Sequence, residues 1–139
     1  MIFRSLAACA TVAVLGGCAL GIDGASSPRQ TFEIDLPPQT VLDRAQAQAQ
    51  QCLRGKDAYH VAREAGGNEQ SGRVLVRAPF SNTDIARVQA SAVSPNRSRV
   101  DIAMWGRSDW DAQAVTAMHD AITFNVVACK SYMPTPRAR

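Results

Sequence analysis

The sequence predicts an α+β domain of element order β-α-β-β-β-β-α, a curled antiparallel sheet carrying two helices on one face. Three observations carry that expectation. "TFEIDLP" alternates with a period of two. Two longer stretches place apolar residues at helical spacing. Between them lie four short β-like runs separated by Gly, Pro, Asn and Ser clusters, the pattern of an antiparallel meander.

In the first stretch Phe32, Ile34 and Leu36 share one side and Thr31, Glu33 and Asp35 the other, which predicts a half-buried strand ended by Pro37 and Pro38. "TVLDRAQAQAQQCLRG" follows, with Leu42, Ala45, Ala49, Cys52 and Leu53 on one stripe. Thr40 is the expected N-cap, with Asp43 three residues later and Gly55 as the stop. The glutamines at 46, 48, 50 and 51 fall mostly on the wet side, and helix propensity accounts for them.

"AYHVARE" is the first β-like run, followed by the turn-rich "AGGNEQSG". "RVLVRA" sets Val74 and Val76 against Arg73 and Arg77; "DIARVQASAV" sets Ala86, Val88 and Ala90 against Arg87 and Gln89. "RVDIAMW" points Val100, Ile102 and Met104 inward after the turn "SPNRS". The last stretch, "SDWDAQAVTAMHDAITFNVVACKSY", reads as one long helix capped by Ser108. Asp109 and Asp111 suit its positive end and Lys130 its negative end. Val115, Met118, Ile122 and Cys129 line its buried stripe. Helices over one face of the sheet would bury both stripes.

The chain starts "MIFRSLAACATVAVLGGC": one early basic residue (Arg4), an apolar run from Leu6 to Leu15, then Gly16 and Gly17. These are the parts of a secretory signal peptide, and the run is about half of the roughly 20 residues a spanning helix needs. Leu15-Gly16-Gly17-Cys18 resembles the lipobox of bacterial lipoproteins. The resemblance implies removal of residues 1–17, lipid on Cys18 and attachment to a membrane. Ala19, where an aspartate would favour the inner membrane, implies the periplasmic face of the outer membrane. Ordinary signal cleavage without lipid is the alternative. The element order is loosely similar to helix-grip domains of small envelope lipoproteins, a likeness of arrangement and not of activity.

Removing seventeen of 139 residues leaves 122, enough for one domain with a real core. Residues 18–30, rich in Gly, Ser and Ala, read as a lipidated flexible tether, residues 31–131 as the domain, and residues 132–139 as a loose tail. The net charge of +3 is too small to argue for nucleic acid as a partner. Cys9 leaves with the signal and Cys18 takes lipid, so Cys52 and Cys129 remain in an oxidising setting. Both lie near the expected C-terminal end of a helix. Helices running side by side in the same direction would bring them together as a disulfide.

No catalytic set, cofactor motif or metal motif can be assembled from the sequence. His60 and His119 stand alone, and His119 and Asp120, adjacent on a helix, are expected to project about 100° apart. Arg73, Arg77, Arg87 and Arg99 share the expected face away from the helices with Glu33, Asp35 and Asp101, and Trp105 falls on that side by alternation. This face reads either as cross-strand charge pairing on a solvated sheet or as a binding face for a partner or an anionic envelope polymer. The functional expectation is a non-enzymatic, lipid-anchored envelope protein that binds another envelope protein or supports assembly. Carriage of a small apolar ligand, or action on peptidoglycan or glycan, are the alternatives.

Overall fold

A computed structural model describes residues 20–56 and 58–130; the expected signal segment 1–17, Cys18 and the expected tail 132–139 lie outside the described residues. The elements are β1 (Arg29–Ile34), α1 (Pro38–Cys52), β2 (His60–Ala65), β3 (Ser71–Arg77), β4 (Asp84–Ser94), β5 (Arg97–Met104) and α2 (Ala112–Phe124). The strands form one antiparallel sheet in the order β1-β5-β4-β3-β2, so the α+β class and the element order follow the sequence. The register shifts at Val76/Arg77 and at Ala92/Ser94, positions where bulges increase local twist.

β1 begins at Arg29, two residues earlier than alternation alone indicates, because Arg29 and Gln30 pair with Ala103 and Ile102. The stretch before it, expected to be slack as far as residue 30, is docked where it is described. Ile22 N–H donates to Asp84 O (3.0 Å) and Met104 N–H to Pro28 O (3.1 Å). Asp23 Oδ1 accepts from the N–H groups of Ala25 (2.8 Å) and Ser26 (2.7 Å).

Both helices begin elsewhere than expected. Pro38 opens α1 behind Pro37, with no side-chain cap; proline at the first helical position has no N–H to leave unpaired. Thr40 therefore sits inside the first turn, its N–H on Pro37 O (3.1 Å). α2 is capped by Asp111, which accepts from Ala114 N–H (3.0 Å), and Ser108 lies in the preceding turn at φ +54°. α2 then stops at Phe124 because Asn125 adopts the left-handed conformation, φ +55°, a common way to end a helix. Cys129 is thus outside any helix.

Val74, Val76, Val88, Ala90, Val100, Ile102 and Met104 form the sheet's inner face, and Val41, Leu42, Ala45 and Ala49 of α1 with Val115, Met118 and Ile122 of α2 fill the other side. Each large member contributes roughly 1.5–3 kcal/mol by burial. α1 lies over β3 and β4, α2 over β5 and β1. Gly72 permits the close approach of α1: a Cβ there would stand 2.7 Å from Leu42 Cδ1 and 3.1 Å from Glu64 O.

The helices run antiparallel. Trp110, just before α2, donates its Nε1–H to Leu53 O at the end of α1 (2.9 Å). Arg44 of α1 donates to Ile122 O near the end of α2 (2.7 Å). The same-direction arrangement expected for the cysteines is therefore not the one found. Yet Cys52 and Cys129 are bonded, with Cα atoms 5.0 Å apart. After Asn125 the chain turns back along α1, so that Ala128 meets Gln48 and Cys129 meets Cys52. Gln48 is 1% exposed, not on the wet side. Its Nε2–H donates to Ala128 O (2.7 Å) and its Oε1 accepts Ala128 N–H (3.1 Å).

Two stability outcomes follow from this clamp. Replacing both cysteines with alanine opens a loop with a sequence separation of 77 and should cost up to about 4.5 kcal/mol in the chain-entropy model. Gln48→Ala removes both hydrogen bonds to Ala128 and, at about 0.5–1.5 kcal/mol each, should cost about 1–3 kcal/mol. Urea unfolding of each variant beside the oxidised parent measures both.

Candidate functional site

The outer face of the sheet carries the expected arginines. The register aligns Arg73 with Gln89, Arg77 with Asp84, Gln89 with Asp101, and Arg99 with both Ser91 and Glu33. Arg73, Arg77, Arg87 and Arg99 do share one face, but they do not act alike. Glu64 accepts from Arg73 Nε–H (2.8 Å) and Arg77 Nη2–H (2.6 Å), and Arg77 Nε–H also reaches Asp84 (3.3 Å). Glu33 and Asp35 are taken by Arg97, through Oε2 (3.1 Å) and Oδ1 (2.5 Å), although Glu33 is the cross-strand neighbour of Arg99. Among the described residues, the side chains of Arg87 and Arg99 have neither a hydrogen-bond nor an ion-pair partner. Leu75, between Ala62 and Arg87 across the strands, is fully buried on this polar side.

Trp105 is half-buried and packs against the core. β5 ends at Met104, and Trp105 N–H bonds to Ile85 O (2.9 Å). Its ring packs 6.3 Å from that of Trp110, with Arg107 5.7 Å above it. Tyr59 also packs on Trp110, ring centroids 4.4 Å apart and tilted by 53°. The two tryptophans therefore seal the end of the core where α1 finishes and α2 begins.

Opposite that end, a cleft of about 790 Å³ opens between the start of α1 and the β2–β3 hairpin. Gln39, Leu42, Arg63, Asn68, Glu69 and Gly72 line it. Arg63 spans its wall, donating to Asp43 Oδ1 (2.5 Å), Gln39 Oε1 (2.7 Å) and Gln46 Oε1 (3.3 Å). Gln39 Nε2–H in turn donates to Glu69 O (3.0 Å). A smaller hollow of about 320 Å³ continues round the Gly66–Gly67 turn to Arg73 and Gln89.

The cleft borders an open strand edge. Among the described residues β2 pairs with β3 alone. Gly66 N–H donates to Ser71 O (3.0 Å), which marks a hydrogen-bonded pair. Antiparallel ladders alternate, so Val61, Arg63 and Ala65 direct their backbone N–H and C=O groups away from β3. Glu64, Arg63 and the outward edge were not singled out in the sequence. Glu64 was detectable as the acid alternating with Ala62 opposite the arginine run; Arg63 and the edge depend on strand order.

His119 and Asp120 do meet, Nδ1 to Oδ1 at 3.2 Å, against the expectation. Residues one apart on a helix differ by about 100° at the backbone, but side chains of this length lean across the gap. His119 also stands edge-on to Phe32 at 4.5 Å. Among the described residues no three His, Cys, Asp or Glu side chains group as metal ligands.

Hydrogen bonds from Arg77 and then Arg73 hold the Glu64 carboxyl below the ordinary glutamate value, and Glu64 and Asp84 push Arg77 up. A lowered folded-state value means stability that is present above the unfolded value and lost as pH falls through the folded one. The Glu64 contribution should therefore hold at neutral pH and fade in the acid range. Urea midpoints measured between about pH 7 and pH 3 should fall less steeply in Glu64→Gln than in the parent. Equal slopes would remove Glu64 from the account.

No protein-family model and no curated protein sequence matches this chain, so the functional reading rests on its own residues.

Proposed function

We propose that this is a non-enzymatic, lipid-anchored envelope protein, held at the periplasmic face of the outer membrane through Cys18. Its domain binds an extended segment of another envelope protein along β2. The open edge of β2 beside the cleft carries the second part of the reading. Strand addition uses main-chain hydrogen bonds for affinity and neighbouring pockets for selectivity, and here outward groups of Val61, Arg63 and Ala65 adjoin a polar cleft. Gln39, Glu69 and Asn68 would read the incoming side chains. Nucleic acid is not the partner on this reading, and no cofactor enters it.

Two features support the envelope setting. The Cys52–Cys129 bond fits an oxidising compartment, and Leu15-Gly16-Gly17-Cys18 has the lipobox form. No helix among the described residues is long and apolar enough to cross a membrane, and lipid at Cys18 would supply attachment without one.

The two parts are tested separately. Cys18→Ser should leave the precursor uncleaved or release the protein from the detergent phase; unchanged retention and normal cleavage would remove the anchor. Ala65→Pro deletes an outward N–H and spares the β3 ladder, since proline is tolerated on the open side of an edge strand. It should keep the parent's thermal stability to within about 1 kcal/mol while abolishing recovery of the partner from cross-linked envelopes. The same cross-linked species from parent and variant would exclude β2 as the contact.

A further inference from the structure

The end of the domain away from the cleft carries Phe80, which is fully exposed, 108% by its relative area. It sits in the β3–β4 loop at φ +63°, a conformation that bulky side chains adopt rarely. The loop is tight: Ala78 N–H donates to Thr83 O (3.0 Å), Ser81 N–H to Ala78 O (3.4 Å) and Thr83 N–H to Ser81 Oγ (3.3 Å). A closed turn thus holds a large apolar ring out into solvent, opposite to what burial favours.

The N-terminal segment docks against the same loop. Gly21 abuts Thr83 closely enough that a Cβ would collide with the threonine side chain. Ile22 N–H is bonded to Asp84 O (3.0 Å), and Leu20 is 48% exposed. Cys18 precedes Gly21 by three residues, a reach of at most about 11 Å. On the proposed lipidation, chains on Cys18 would therefore enter a membrane within that reach of Gly21, which abuts Thr83 at the base of the Phe80 loop.

We infer that Phe80 is a second contact of this domain with the phospholipid surface, with exposed Leu20 next to the docked Gly21 at the same end. The aromatic ring inserts at the headgroup–acyl boundary next to the lipidated residue, as apolar side chains of interfacial segments do. A single lipid-proximal contact of this kind fixes orientation: the β3–β4 loop faces the membrane, and the cleft and β2–β3 turn face away from it. The inference rests on lipid at Cys18.

The test uses the full lipidated chain in vesicles of phosphatidylethanolamine and phosphatidylglycerol. Phe80→Cys carries an environment-sensitive fluorophore, with Val93→Cys, 55% exposed at the opposite end, as the comparison. Emission at position 80 should shift to shorter wavelength on vesicles and be quenched by brominated acyl chains, and position 93 should show neither. With lipid on Cys18 confirmed by intact mass, no shift at 80, or equal shifts at 80 and 93, overturns this contact and leaves the anchor standing. Absence of lipid on Cys18 overturns both.

Discussion

The covalent closure between Cys52 and Cys129 encloses β2, β3, β4, β5 and α2 in one loop and leaves only β1 and α1 before it. Much of the architecture depends on how that closure is reached. α2 has to rise antiparallel to α1, and the chain has to reverse at Asn125, before residue 129 can travel back to the end of the first helix. Gln48 holds that return midway, taking both the N–H and the C=O of Ala128. A buried amide satisfied on both sides is worth more as a positioning device than as a net gain in energy, since its removal leaves two backbone groups without this partner. Disulfide and amide thus fasten an otherwise exposed segment to α1 in register.

The alternating apolar positions of the strands made the sheet legible, because the period of two is imposed locally by the pleat. Val74, Val76, Val88, Val100 and Ile102 face the core as the pattern indicates. Helix ends were less legible, because several residues competed for each cap. Thr40 lost to Pro38, and Ser108 lost to Asp111, whose carboxylate is one residue before the first helical position. The disulfide was legible as a pair and misread as a geometry: the thiol count pointed to Cys52 and Cys129, but helix direction is a tertiary property. Gln48 was hidden for the same reason, since its partner is eighty positions away.

The candidate site shows the same division. Alternation placed Arg73, Arg77, Arg87 and Arg99 on one face, but strand order decided which of them would be neutralised. β2 lands beside β3 and brings Glu64 between Arg73 and Arg77, whereas Glu33 and Asp35 turn to Arg97 and leave Arg99 open. Trp105, just past the end of β5, is half-buried against the core beside Trp110. The outer face is therefore mostly a self-paired lattice, of the kind that contributes a few tenths of a kcal/mol per pair, and the concave feature lies at its margin.

Antiparallel strand order also separates the two ends of the molecule. Every hairpin turn must fall at one end or the other. The β2–β3 and β4–β5 turns share an end with the start of α1, and the β3–β4 loop shares the opposite end with Trp105, Trp110 and the docked segment at residues 21–28. An attachment point that enters at the second end leaves the first as the most distant part of the domain. The open β2 edge runs between the two, its cleft at the far end. Because the segment from Ile22 to Pro28 is hydrogen-bonded to β4 and β5 and not slack, the orientation of the domain would be set by folding itself. A lipid anchor on a long tether would leave the cleft pointing in every direction; on the proposed lipidation of Cys18, three residues from Gly21, the cleft would instead be held on the side away from the membrane.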